Sequence, residues 1–135
     1  MDCIFCKIIR GEIPCAKIFE DENTLAFLSI GPISKGHTLV IPKKHAEVYM
    51  DLDDESINDL ATTLKKVATM VKKGTGADGL NLGLNVHEAA GQVVPHVHFH
   101  VIPRINGDGL STWPGGTYED GEIEEWTKKI KGALE

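Results

Sequence analysis

Between residues 54 and 73, Ile57, Leu60, Ala61, Leu64, Val67, Ala68 and Val71 recur at helical spacing along one stripe, with polar residues between them. That pattern predicts an amphipathic helix with one buried face. Asp53, Asp54 and Glu55 crowd its start and Lys72 and Lys73 its end. This complements the helix dipole, and Gly74 is placed to close the helix. Elsewhere the apolar positions run at strand spacing. KIFED (17–21) and TLAFLS (24–29) read as two short strands joined in a hairpin at Glu22 and Asn23, and HTLVIP (37–42) as a buried strand stopped by Pro42. GLNLGLNV (79–86) alternates as a strand does, and CIFCKIIRGEIP (3–14) reads as a short helical turn closed by Gly11. A last helix over 119–134 aligns Ile123, Trp126, Ile130 and Leu134. Short connections between the strands, and helices set apart from them, predict an α+β domain with an antiparallel sheet. There is no repeat or linker, so residues 1–135 read as one domain.

The run PHVHFHVIPR (95–104) holds three of the six histidines of the chain at every second position. Val97, Phe99, Val101 and Ile102 favour a strand, and Pro103 ends the run. On a strand, His96, His98 and His100 share one face while Val97, Phe99 and Val101 point into a core. At roughly 3.3 Å per residue the outer two imidazoles stand about 13 Å apart, too far to serve one metal together. At least one histidine is then free for other chemistry. The plain alternative is three solvent-facing histidines on a half-exposed strand, which so rare a residue makes a poor account of such a rhythm.

The chain has 135 residues, 41% of them hydrophobic, enough for one substantial core. No apolar run approaches a membrane span, and the N-terminus lacks a signal-peptide pattern, so a cytoplasmic protein is expected, with no membrane partner. A net charge of −6 argues against non-specific nucleic-acid binding. Three cysteines do not form a disulfide framework in such a chain. Cys3 and Cys6, spaced C-x-x-C, are able to grip one zinc with two further ligands drawn from His37, His45, His87 or the triad, His96 or His45 being favoured. The alternative is two small buried thiols; Cys15 reads as a core or surface residue.

A neutral imidazole is a good nucleophile at neutral pH, and attack on phosphorus yields a phospho-imidazole that water can hydrolyse. A second histidine on the same face can hold phosphoryl oxygens or assist the leaving group. The loop before the triad offers Asn85, Gly91 and Gln92, whose amides and close backbone suit phosphate. Neither glycine-rich phosphate motif of the helix-first kind is present.

These residues resemble the histidine triad superfamily. PHVHFHVI is similar to its H-x-H-x-H signature, AGQVVPHVHFH to the extended core of that signature, and GHTLVIPKKH (36–45) to a second landmark. CIFCKIIRGEIP and KIFEDENTLAFL match as well, so the resemblance covers about residues 3–104, with residues 105–135 a tail and helix beyond it. The resemblance implies a five-stranded antiparallel sheet that pairs with a second copy into a ten-stranded sheet. It implies a hydrolase or transferase acting on the α-phosphate of a purine nucleotide, with His98 the nucleophile through Nε2 and His100 contacting the phosphate and helping the leaving group. Asn85, Gly91 and Gln92 would line the phosphate site. Ile18, Phe19, Phe27 and Ile30 would flank the base, where spacing alone favours ordinary core, and His37 would sit behind the triad. The branch carrying C-x-x-C resembles the hexose-1-phosphate uridylyltransferases in its metal site, which implies one structural zinc per chain on Cys3, Cys6, His45 and His96 and no catalytic metal.

Two positions depart from that pattern. Ser29 stands in FLSIGP where an acidic residue usually holds the ribose hydroxyls, and Val93 follows Gly91-Gln92 where a Ser or Thr hydroxyl usually meets the phosphate. The expected activity is cleavage of purine nucleoside phosphoramidates or adenylated adducts. Dinucleoside polyphosphate hydrolysis and a low-turnover nucleotide sensor or adaptor are the alternatives, the two departures motivating the sensor. A zinc-stabilised scaffold with a vestigial site sits poorly with a complete triad. Uridylyl transfer is disfavoured because that family has Gln where this chain has His100. WPGG (113–116) resembles the W-P-P-G tail of the nucleotide-binding branch, but a further helical segment follows it.

Overall fold

The computed structural model describes residues 3–134. Its elements in chain order are α1 (Ile4–Ile9), β1 (Lys17–Glu20), β2 (Thr24–Leu28), β3 (Thr38–Pro42), α2 (Asp54–Thr75), β4 (Gly79–Leu84), β5 (Phe99–Arg104) and α3 (Glu122–Lys131). The five strands form one antiparallel sheet in the order β1-β2-β3-β5-β4. The expected α+β architecture is therefore present.

The two middle apolar runs are continuous rather than alternating because both faces of β2 and β3 are covered. On one face Leu60, Val67, Ala68 and Val71 of α2 pack against Ala26, Val40, Val97 and Val101. On the other, Cys3 and Phe5 from the N-terminal segment pack against Leu25, Phe27, Leu39 and Ile41. His96 and His98 meet Phe5 on this second face.

Several boundaries differ from the sequence reading. Helix α2 runs on to Thr75, and Gly76, not Gly74, closes it in the left-handed conformation at φ 70°. Its start is as expected, with the Asp53 carboxylate accepting from the Ser56 amide at 2.8 Å. Strand β4 stops at Leu84, and the last helix spans Glu122–Lys131, followed by a single 3-10 turn, with its apolar stripe exposed within one chain. The strand expected from the first histidine begins only at Phe99 and continues through Pro103. Beyond Val101, β5 is paired with β4 alone, since β3 begins at Thr38 opposite Val101. That open side accommodates a residue with no N–H. No helix among the described residues is long and apolar enough to cross a membrane.

Candidate active site

Metal-ligand chemistry begins at α1. Cys3 is its N-cap, and its sulfur accepts from the Cys6 amide at 3.4 Å. This turn aims both sulfurs at one point. His45, three residues past the end of β3, and His96, before β5, close on the same point from the body of the domain. Cys3 Sγ and Cys6 Sγ lie 3.4 and 3.6 Å from His96 Nδ1. Cys6 Sγ is 3.4 Å from His45 Nδ1, and the two Nδ1 atoms are 3.1 Å apart.

Zinc bonds of about 2.3 Å to sulfur and 2.0–2.1 Å to nitrogen, set tetrahedrally, place S and N about 3.5 Å apart and two N about 3.3 Å apart. The observed spacings match that cage. His96 Nε2–H donates to the Pro42 carbonyl at 2.8 Å, leaving Nδ1 as a lone pair facing the others. Burial and Cys3 push the Cys6 thiol pKa up. Two thiols and two imidazole Nδ1 atoms packed this closely suit a cation in composition as well as in geometry. The four implied ligands thus come together, while His37 and His87 lie elsewhere.

Because the chain is irregular through His98, the three histidines part company. His96 turns into the metal cage and is fully buried. His98 is buried beside it, its Nδ1–H donating to the His96 carbonyl at 2.7 Å. That bond fixes the tautomer and leaves Nε2 with its lone pair free. His100, the only one of the three within β5, is set by a relay. The Ile33 amide donates to His37 Nδ1 at 3.0 Å, so the His37 proton sits on Nε2. Nε2 lies 2.9 Å from His100 Nδ1 and donates to it, which places the His100 proton on Nε2. His100 Nε2 is the one buried side-chain polar atom without a partner among the described residues. A lone-pair nitrogen on His98 and an unspent N–H on His100 stand on rings 5.0 Å apart, an arrangement able to pair nucleophilic attack with donation to an anion.

Burial lowers the pKa of each of these rings. It holds His98 below its ordinary range against the raising effect of the His96 carbonyl, and burial followed by the His98 charge lowers His37. His100 is pushed down to about 4 by burial, then by His98 and His37. In all three, burial favours the neutral form, the one a nucleophile requires.

The loop residues divide. Gly91 takes a φ of 95°, and Asn85 Nδ2 reaches its carbonyl at 3.4 Å. The Gln92 amide braces the loop: its Oε1 accepts from the His87 amide at 2.8 Å, and its Nε2 donates to the Glu47 and Val94 carbonyls at 2.6 and 3.0 Å. An open cleft of about 550 Å³ lies between Glu47–Val48 and Gly91–Val93. Val93 is exposed, and half-buried Ser29 accepts from the Gly31 amide at 3.3 Å.

The apolar set called for the base divides as well. Phe27 is on the histidine face, whereas Ile18 and Phe19 pack toward α2, with Lys66 Nζ 4.7 Å from the Phe19 ring centre, and Ile30 is fully exposed. The residue that sequence reasoning missed is Phe5. Its ring meets His98 edge-on at 5.1 Å and Phe27 at 5.5 Å. Its position inside C-I-F-C was the available signal, since whatever lies between two ligands of one ion is carried to that ion.

The HIT domain family profile matches residues 10–107. This chain belongs to the HIT domain family. An adenosine 5'-monophosphoramidase of Schizosaccharomyces pombe is 47% identical over 97% of the chain and 100% of its own length. The crystal structure of a HIT family protein from Bacillus subtilis superposes with a TM-score of 0.92 at 40% identity, covering 100% of this chain and 99% of that one. A zinc-bound histidine triad family protein from Mycobacterium smegmatis superposes with a TM-score of 0.78 at 38% identity, covering 98% of each chain. The chain thus combines the five-stranded HIT fold with a Cys3, Cys6, His45 and His96 cluster of metal-ligating side chains, and a zinc-bound member of the family is known.

Proposed function

We propose that this HIT protein is a cytoplasmic hydrolase that cleaves purine nucleoside phosphoramidates or adenylated adducts at the α-phosphate. The observation that carries the reading is the pair of fixed tautomers, with a free lone pair on His98 Nε2 beside an unspent N–H on His100 Nε2. The similarity to a monophosphoramidase supports the substrate class.

In the first step His98 Nε2 bonds the α-phosphorus as the bond from phosphorus to the leaving amine breaks, giving a nucleotidyl-histidine. His100 Nε2–H donates to the phosphoryl oxygens as charge builds there. The leaving nitrogen takes a proton from solvent as it departs as the amine. In the second step the oxygen of water bonds phosphorus as the Nε2–P bond breaks, and the proton released by that water returns to solvent, which balances the two steps. Asn85, Gly91 and the braced Gln92 loop border the phosphate, and Phe27 lines the base side, with Ile18, Phe19 and Ile30 the further residues named by the resemblance. Cys3, Cys6, His45 and His96 would hold one zinc per chain, which supplies a structural crosslink. All four positions are filled by protein, so no catalytic metal is required. Two copies pair into one ten-stranded sheet, and neither nucleic acid nor membrane is a partner.

The test is incubation with an AMP-lysine phosphoramidate and, separately, a diadenosine polyphosphate, quenched early and read by intact mass. Turnover with an AMP adduct that is absent in His98→Ala supports the reading and selects the substrate. Ser29 and Val93 favour one second reading, a low-turnover nucleotide sensor. Nucleotide binding without adduct or turnover in the unmodified chain would establish it instead.

A further inference from the structure

The metal cage and the nucleophile share two contacts that a remote structural staple would not have. The residue whose carbonyl fixes the His98 tautomer is His96, itself a member of the cage. The ring that packs edge-on against His98, at 5.1 Å with planes crossed at 85°, is Phe5, held in the turn between Cys3 and Cys6. Phe5 also touches His96 at 5.9 Å and Phe27 at 5.5 Å, and it is buried. Helix α1 is only six residues long, far below the length at which a helix persists by its own hydrogen bonds. Its placement therefore depends on tertiary contacts: the cage, Phe5, and Ile8 and Ile9 packed on the same core cluster. Of the two rings that meet His98 edge-on among the described residues, Phe5 belongs to the turn between the cage cysteines and His100, at 5.0 Å, stands outside the cage.

We propose that the Cys3, Cys6, His45 and His96 cage is the positioning device of the nucleophile, acting on His98 through the Phe5 ring and the His96 carbonyl. The role rests on the reading of His98 as nucleophile. An occupied cage holds α1 against the sheet, α1 holds Phe5, and Phe5 together with the His96 carbonyl restricts the imidazole to one rotamer and one tautomer with Nε2 outward. An empty cage releases α1, so that His98 keeps its chemistry but loses its aim. Phe5 is accordingly a positioning residue, and its effect falls on kcat through orientation.

The test uses the full chain in three forms: zinc-loaded, chelated, and zinc-loaded Phe5→Leu. Imidazole ¹H–¹⁵N spectra read the His98 tautomer without any substrate, native mass spectrometry reads zinc per chain, and single-turnover adduct formation reads orientation. The loaded chain is expected to show a single Nδ1–H tautomer at His98. Phe5→Leu should retain one zinc per chain, show mixed tautomers and form adduct about 10- to 100-fold more slowly. The chelated chain should show the same mixture while its far-ultraviolet circular dichroism stays folded. If chelation unfolds the chain, Phe5→Leu alone decides. An unchanged His98 signal and an adduct rate within twofold in zinc-loaded Phe5→Leu overturn the proposal. Failure of the functional reading is distinct, because it leaves the unmodified chain without adduct whatever its His98 spectrum.

Discussion

His37 Nε2 sits 2.9 Å from His100 Nδ1, and that single contact decides which nitrogen of the His100 ring carries the proton. His37 is buried and makes its other bond to the Ile33 amide, so its own orientation is held by backbone. A residue outside the triad thereby sets the donor inside it.

Replacing His37 by Ala frees the His100 tautomer and strands a buried acceptor. Adduct formation on His98 is expected to slow by about 10²-fold, the lower end of what a positioned proton donor contributes. Stability should fall by about 1–3 kcal/mol, the cost of an unpaired buried polar group. Single-turnover mass spectrometry and urea unfolding measure the two.

The pH dependence of stability follows from the depressed pKa of His100, about 4 when folded against an ordinary value of 6.5. Between those values the unfolded chain binds the proton and the folded chain does not. The contribution of this group is complete above about pH 6.5 and is lost as pH falls toward about 4. Urea midpoints at pH 7, 6, 5 and 4 should decline, and more steeply for the unmodified chain than for His100→Gln.

Chelation of the metal should destabilise the fold by mass action. With free zinc at 100 times its Kd, about 2.7 kcal/mol of stability depends on the ion. Cys3→Ser and Cys6→Ser should reduce the shift in Tm produced by added zinc, and a Tm that ignores both zinc and chelator would exclude the cage as a metal site.

Gly36 has a φ of 96°, and a Cβ there would lie 2.6 Å from Thr75 Cγ2 at the end of α2. Gly36→Ala combines left-handed backbone strain with a clash one residue before His37. A loss of about 1–3 kcal/mol is expected, read by urea unfolding.

Val93 is 88% exposed, so Val93→Ser changes chemistry with no loss of packing. A hydroxyl there should raise adduct formation by up to about 10²-fold if it reaches the phosphoryl oxygens. Unchanged rates would show that this loop position is not a donor site here.

Much of this was legible in order along the chain. The stripe from Ile57 to Val71 determined α2, and Asp53 its start. The continuous runs TLAFL and TLVIP determined buried strands. C-x-x-C with H-x-H-x-H supplied the materials for a metal cage and a nucleophile. The sequence alone could not say where regular spacing stops. His96 and His98 precede the ladder of β5, so two histidines written as strand neighbours are turned by loop backbone, one into the cage and one toward Phe5. Likewise a bulge between Lys17 and Phe19 shifts the register of β1 and sends Ile18 and Phe19 toward α2, leaving Phe27 and Phe5 beside the histidines. Residue types and local periodicity are properties of the chain in order, and the sequence determined those. The face that an irregular residue presents, and the nitrogen on which its ring holds a proton, depend on partners dozens of residues away, and only the tertiary structure brings those partners together.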